Sequence, residues 1–216
     1  MSFIKIAELL AGGMAVSIYI FTVTLLFSLP LGLLVSFGRM SKNPVISGII
    51  KIYISIMRGT PLMLQLMVVY FGPYYLFGIK VDNSYRMIAA LIGFVVNYAA
   101  YFAEIFRSGI QSIDKGQYEA AEILGYSKAQ TFFVIILPQV VKRILPPVTN
   151  EVITLVKDTS LAFTISVAEM FTTAKALASS QTSMLPFVAA AVFYYVFNFV
   201  VAYIMDFFER KMGYYR

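Results

Sequence analysis

Asp114 to Pro138 reads D-K-G-Q-Y-E-A-A-E-I-L-G-Y-S-K-A-Q-T-F-F-V-I-I-L-P and lies between long apolar runs. The stretch carries its own punctuation. Asp114 suits the N-cap of a short helix over Lys115 to Leu124, and Gly125 just beyond suits a left-handed C′ position. Ser127 followed by Gln130 is a capping-box pattern that opens a second helix. Pro138 is expected to end that helix, because proline has no N–H to continue it. The first helix would be about 15 Å long, too short to cross a hydrocarbon core of about 30 Å. Tyr118, Ala121 and Leu124 fall on one of its faces, and Ala120 with Ala121 permits close approach. Such a helix suits docking into a partner's groove.

Glu119-Ala120-Ala121, then Gly125, then Ile135-Ile136-Leu137-Pro138 resembles the EAA loop of bacterial ABC-importer permeases. An isolated E-A-A is common, whereas the long spacing through to Leu137-Pro138 is specific. Arg58-Gly59-Thr60-Pro61-Leu62, Asn97-Tyr98-Ala99-Ala100-Tyr101-Phe102-Ala103-Glu104 and Lys157-Asp158-Thr159-Ser160-Leu161 are similar to the polar amino-acid subfamily of these permeases. The resemblance implies a type I importer fold. It assigns Tyr118, Glu119, Ala120, Ala121, Leu124 and Gly125 to coupling with a separate ATPase. The competing reading of the stretch is an amphipathic surface hairpin with no special role.

Composition agrees with a membrane chain: 60% of residues are hydrophobic and the mean hydropathy is +0.80. Without cysteine or histidine, disulfides, thiolate metal sites and the commonest general base are all excluded. No G-x-x-x-x-G-K-[ST] phosphate loop occurs, so ATP hydrolysis would need another polypeptide. No cofactor is implied. The N-terminus lacks a basic n-region, and the uncharged run from Leu9 to Gly38 is too long for a signal-peptide core, so it reads as a retained span.

Five spans are expected: within Gly13 to Phe37, Thr60-Pro61 to Leu76, Met87 to Arg107, Pro146-Pro147 to Ala168, and Pro186 to Met205. Thr60 and Pro61 read as N-cap and N1 of the second. Arg39, Lys42, Lys51 and Arg58 mark a charged connector before it. With the N-terminus outside, the inner side holds Arg39, Lys42, Lys51, Arg58, Arg107, Lys115, Lys128, Lys142, Arg143, Arg210, Lys211 and Arg216. The outer side holds Lys5, Lys80, Arg86 and Lys175. Twelve against four orients the chain N-out and C-in, with residues 112–138 in the cytoplasm. The charge of +6 is then mainly a topology signal and needs no nucleic acid. Tyr70, Tyr74, Tyr75 and Tyr214 read as interfacial aromatics. The expectation is an all-α, multi-pass protein of the bacterial inner membrane, formed as a single transmembrane permease domain over residues 1–216 with a cytoplasmic coupling-helix hairpin.

Ionisable groups within a span cost roughly 2.5–3.5 kcal/mol each on insertion scales, so each requires a reason. Asn97, Tyr101, Glu104 and Ser108 form one stripe on the third span, and Glu151, Thr154 and Asp158 another on the fourth. Gln65 adds a polar group to the second. The functional reading lines a translocation path with Gln65, Asn97, Tyr101, Glu104, Glu151, Lys157, Asp158 and Ser160. The structural reading pairs Glu104 with Arg58 or Arg107, and Lys157 with an acid. Lys157-Asp158-Thr159-Ser160 also resembles a half-helix break whose unwound backbone could meet an amino acid's charged ends.

The leading function is the membrane subunit of an ATP-driven amino-acid importer. Its partners would be cytoplasmic ABC ATPase subunits, a second permease copy or a related permease, an extracytoplasmic amino-acid-binding protein, the lipid bilayer and the amino-acid substrate. The acidic surplus within the spans favours a basic amino acid, with glutamine or another neutral polar amino acid as the alternative. A secondary transporter is disfavoured by five spans without a visible inverted repeat. An intramembrane enzyme is disfavoured by the lack of a nucleophile-plus-base pairing.

Overall fold

The structure, a computed structural model, describes residues 3–212; Tyr214 and Arg216 lie outside the described residues. Among the described residues nine α-helices follow one another: α1 (Phe3–Arg39), α2 (Pro44–Gly59), α3 (Leu62–Phe77), α4 (Tyr85–Gln111), α5 (Lys115–Ile123), α6 (Lys128–Gln130), α7 (Leu137–Asp158), α8 (Met170–Gln181) and α9 (Leu185–Met212). No strand occurs among the described residues. Among the described residues four helical stretches are long and apolar enough to cross a bilayer, or five when the bent pair α2–α3 counts as one span.

Small residues let the bundle close. α1 runs along α4, where a Cβ on Gly32 would come within 2.8 Å of the Phe102 Cβ and 3.0 Å of the Ala99 carbonyl. Ala89, Ala90, Gly93, Ala99, Ala100 and Ala103 of α4 are buried as well. Around them Leu66, Phe94, Tyr98, Phe102, Leu155 and Val156 form the core shared by α3, α4 and α7. Tyr70 belongs to this core rather than to an interface: it is buried, stacks on Tyr85 and accepts from Arg86 Nε at 3.3 Å. Tyr74 and Tyr75 are exposed, as expected of interfacial aromatics. Asp82 turns the chain into α4 by accepting from the backbone N–H groups of Ser84 and Tyr85.

Residues 44–59, expected as a charged connector, are helical. Asn43 caps α2 by accepting from Val45 N at 2.9 Å, and Ile54 packs on Ala100 and Ala103 of α4. The charges Lys51 and Arg58 hid a helix whose remaining side chains are largely apolar. Thr60 and Pro61 also shift role. Thr60 is the C-cap of α2 and Pro61 stands at the N-cap of α3, because the two helices meet at 111° across this pair.

The second helix of the hairpin does not stop at Pro138. Helix persists from Lys128 to Ile165, as α6, a π-helical turn over Thr131–Ile136, α7 and a 3₁₀ segment over Thr159–Ile165. The π turn lies directly ahead of the proline, and Leu137 N–H reaches back five residues to the Phe132 carbonyl. That wider turn moves the preceding carbonyls off the register in which the pyrrolidine ring would meet one of them. Pro146 and Pro147 consequently sit inside α7 rather than opening the fourth span. At its far end this helix changes type at Asp158 but does not unwind. The Thr159 and Ser160 hydroxyls donate to the Val156 and Lys157 carbonyls at 2.8 and 2.7 Å. The true break comes at Ser166, which has φ 59, and it leads into α8, a helix not foreseen from the sequence.

Candidate functional site

Three elements converge on one polar cluster: the end of α2, the middle of α4 and the second half of α7. Glu151 and Asp158 lie two turns apart on one face of α7, both half-buried. Tyr98 of α4 is 2% exposed and donates from its hydroxyl to Asp158 Oδ2 at 2.7 Å. One turn further along α4, the Tyr101 ring carries the Arg58 guanidinium 5.4 Å above its centre. Glu151 has no hydrogen bond or ion pair among the described residues, and it lies in the electrostatic field of Arg58 and Asp158. The cluster therefore offers two carboxylates, one guanidinium and two phenols.

The other predicted site residues divide. Glu104 pairs with Arg107, its i+3 neighbour, so this acid is neutralised locally at the inner end of α4. Lys157 is exposed and forms no ion pair with Asp158. The Ser160 hydroxyl is turned back onto its own helix. Asn97 is buried and donates to Gln65 Oε1 at 2.9 Å and to the Met57 carbonyl at 3.1 Å. Gln65 Nε2 donates to the Met57 carbonyl, the Thr60 carbonyl and the Thr60 hydroxyl at 2.9–3.1 Å. A groove of about 520 Å³ adjoins this pair, lined mainly by Ile56, Leu64, Val68, Ile92 and Val96. Apolar walls of that kind give a zwitterion no partner, so the polar cluster is the better candidate despite the groove's size.

Two residues escaped the sequence reading. Tyr98 sat inside a quoted motif, but helical spacing favoured Asn97 and Tyr101, and only the tertiary fold brings its hydroxyl to Asp158. Glu169 is fully buried. Its carboxylate accepts from Phe171 N at 2.6 Å, Thr172 N at 2.7 Å, the Thr172 hydroxyl at 2.8 Å and the Tyr194 hydroxyl at 3.1 Å. It thereby caps α8 and fastens it to α9. An acid next to Met and Phe gives no periodic signal, although Glu169 at the N-cap with Thr172 at the third helical position is a recognisable cap.

The second site is the hairpin. Asp114 Oδ1 accepts from Gly116 N at 2.7 Å, and Ser127 and Gln130 exchange both bonds of a capping box. Gly125 has φ 80, with Gly125 N bonded to the Glu122 carbonyl and Tyr126 N to the Ala121 carbonyl, each at 3.0 Å: a Schellman closure. Ala121 turns inward and is buried, so the outward surface of α5 is Tyr118, Glu119, Ala120, Ile123 and Leu124. Ile123, 87% exposed, lies outside the expected face of Tyr118, Ala121 and Leu124. Beneath it a cleft of about 400 Å³ is lined by Tyr118, Glu122, Tyr126, Lys128, Thr131 and Phe132. The hairpin is braced from below: Ile113, Ile136 and Val140 are buried together, and Arg143 donates to Ser112.

Residues 28–214 match the family described as binding-protein-dependent transport system inner membrane component. The L-cystine transport system permease protein TcyL of Bacillus subtilis (strain 168) is 39% identical over 208 residues, covering 93% of this chain and 84% of that protein. The arginine transport system permease protein ArtQ of the same organism is 37% identical over 201 residues, covering 93% and 90%. Among solved structures, an amino acid ABC transporter crystallised with histidines superposes with TM-score 0.87 at 30% identity over 98% of this chain and 99% of that one. The MetNI methionine transporter, at 15% identity and TM-score 0.71, shares the fold.

Proposed function

The chain belongs to the family of inner-membrane components of binding-protein-dependent transport systems, and within it we propose a permease for basic amino acids. It is a multi-pass inner-membrane permease subunit of an amino-acid ABC importer, and ATP is hydrolysed by a separate subunit. The finer reading concerns the polar cluster. Glu151 and Asp158 serve the ammonium and the cationic side chain of the substrate, while Arg58 above Tyr101 serves its carboxylate. A single observation carries this. With Glu104 already neutralised by Arg107, the cluster holds two half-buried acids, Glu151 and Asp158, against one base, the exposed Arg58 above Tyr101. A zwitterion leaves one carboxylate uncompensated, and a second positive charge removes that cost. The arginine permease among the relatives supports the reading, and the L-cystine permease supports the neutral alternative.

In the same proposal residues 112–138 form the coupling segment, with α5 entering a groove of the ATPase subunit. Two permease copies, or one with a related permease, enclose the path. An amino-acid-binding protein delivers substrate at the opposite face.

The test is ATPase activity of the reconstituted complex, with its binding protein, across arginine, lysine, histidine, glutamine and cystine. Basic amino acids are expected to stimulate most. Glu151→Gln and Asp158→Asn, made separately, should lower arginine-stimulated activity far more than basal activity, and at least one should shift preference toward neutral substrates. Unchanged arginine dependence in both variants would remove the substrate assignment.

A further inference from the structure

The α2–α3 elbow contains a missing hydrogen bond that the sequence itself creates. Helical continuation would place the N–H of residue 61 on the Met57 carbonyl, but residue 61 is proline and has no N–H. In a bilayer such a carbonyl has no water to turn to. Two side-chain amides make good the loss: Gln65 Nε2 at 3.0 Å and Asn97 Nδ2 at 3.1 Å. Their remaining capacity is spent on the same joint. The other Asn97 N–H goes to Gln65 Oε1 at 2.9 Å, and Gln65 Nε2 also reaches the carbonyl and hydroxyl of Thr60. Gln65 is thus engaged at both ends, and both hydrogens of the Asn97 amide are used.

We propose that Gln65 and Asn97 are positioning residues: they latch the α2–α3 elbow at its 111° bend and so hold Arg58 over the polar cluster, rather than contacting the transported amino acid. The link is short. Arg58 is the residue after Met57, the latched carbonyl, and the Tyr101 ring beneath its guanidinium lies one turn beyond Asn97 on the same face of α4. A looser elbow lets Arg58 leave that ring. α2 keeps its own anchors on α4, Ile54 against Ala100 and Ala103 and the Tyr53 hydroxyl on the Val96 carbonyl, so latch variants retain their fold.

The part of this inference that concerns Arg58 rests on the substrate reading above, and the experiment separates the two. With no native cysteine, spin labels at Ile52→Cys and Val68→Cys, both exposed, report the elbow by pulsed EPR in the reconstituted complex. Gln65→Leu, Gln65→Glu and Asn97→Ala should each broaden or shift the distance distribution. In arginine-stimulated ATPase assays the half-maximal concentration should rise about tenfold while the maximal rate stays within about twofold, a split that marks lost binding geometry rather than lost turnover. Gln65→Glu is the discriminating variant. As a ligand for a cationic substrate a carboxylate would hold or tighten binding, whereas as a latch it presents acceptors to acceptors and must weaken it. An unchanged distance distribution in Gln65→Leu and Asn97→Ala overturns the latch. A displaced elbow with unchanged arginine dependence overturns the positioning role. Arg58→Ala with wild-type arginine dependence removes the substrate reading at Arg58, and the positioning role with it, while the EPR result still judges the latch.

Discussion

Replacing Gly125 by valine tests whether the hairpin's shape sets its docking. Gly125 holds φ 80, and a Cβ there would meet no heavy atom within 4 Å, so the penalty is conformational and not a clash. An L-residue forced into the left-handed region loses about 1–2 kcal/mol, and branching at Cβ puts valine at the upper end. The chain can escape only by opening the turn, which gives up the Gly125–Glu122 and Tyr126–Ala121 bonds, each worth about 1 kcal/mol net. By either route the docked geometry of α5 is disfavoured by about 1–2 kcal/mol, a factor of about 5–30 in an equilibrium constant. The flanks are untouched, because Ile113, Ile136 and Val140 pack below the turn. Membrane levels should therefore match wild type, while affinity for the ATPase subunits, titrated in detergent or nanodiscs, falls about 5–30-fold. Asparagine, which tolerates positive φ, should lose least, alanine more and valine most. A flat series, with Gly125→Val binding and transporting like wild type, would refute the claim that the left-handed turn aims α5 at its partner.

Three further outcomes are expected. Glu169→Ala should destabilise the packing of α8 on α9 by on the order of 2–4 kcal/mol, since it removes a cap and strands the Thr172 and Tyr194 hydroxyls, and loss of thermal stability in detergent measures it. Gly32→Val should overpack the α1–α4 contact at a cost of about 1–3 kcal/mol, seen as a lower melting temperature; no change would mean that α1 does not sit against Phe102. Asp82, in the α3–α4 loop, is held below the ordinary carboxylate range chiefly by the Ser84 hydroxyl. A depressed folded value means that its support is present above the unfolded value of about 4 and is lost as pH falls through the folded one. Pepsin cleavage of residues 78–84 should accordingly rise on acidification in wild type and be less pH-dependent in Asp82→Ala; equal profiles would show that Asp82 does not hold the loop.

What was legible in the sequence shares one property: its physics is local. The caps at Asp114 and Ser127 and the glycine turn at 125 are settled within five residues, and the structure reproduces each of them. The long apolar spans needed only hydropathy, and the Glu104–Arg107 pairing was already among the alternatives as an i,i+3 neighbour. The polar stripes were legible as faces but not as contacts. Periodicity puts Asn97 and Tyr101 on one side of α4, yet it cannot say that Asn97 is consumed by Gln65 while Tyr98, about 100° round the helix, reaches Asp158. Glu169 stayed hidden for the same reason, since the Tyr194 hydroxyl that meets it is 25 residues away.

The prolines make the point sharpest. Each one states that an N–H is missing, and none states what the chain does about it. At Pro61 the loss becomes a 111° elbow, because two amides, one of them from α4, can cover the stranded Met57 carbonyl. At Pro138 there is no bend into a new element: the preceding turn widens to five-residue hydrogen bonding and the helix continues through the ring. Pro146 and Pro147 are carried inside α7, whose Val140, Val148 and Val152 are buried against the rest of the bundle. The same local signal thus gives a sharp bend, a π turn and an uninterrupted helix. The choice between them is made by groups 4 to 40 residues distant, such as Gln65 and Asn97 around Met57 and Pro61. Reading a proline in a membrane chain therefore means asking which side chain, anywhere in the bundle, could donate to the carbonyl four residues before it.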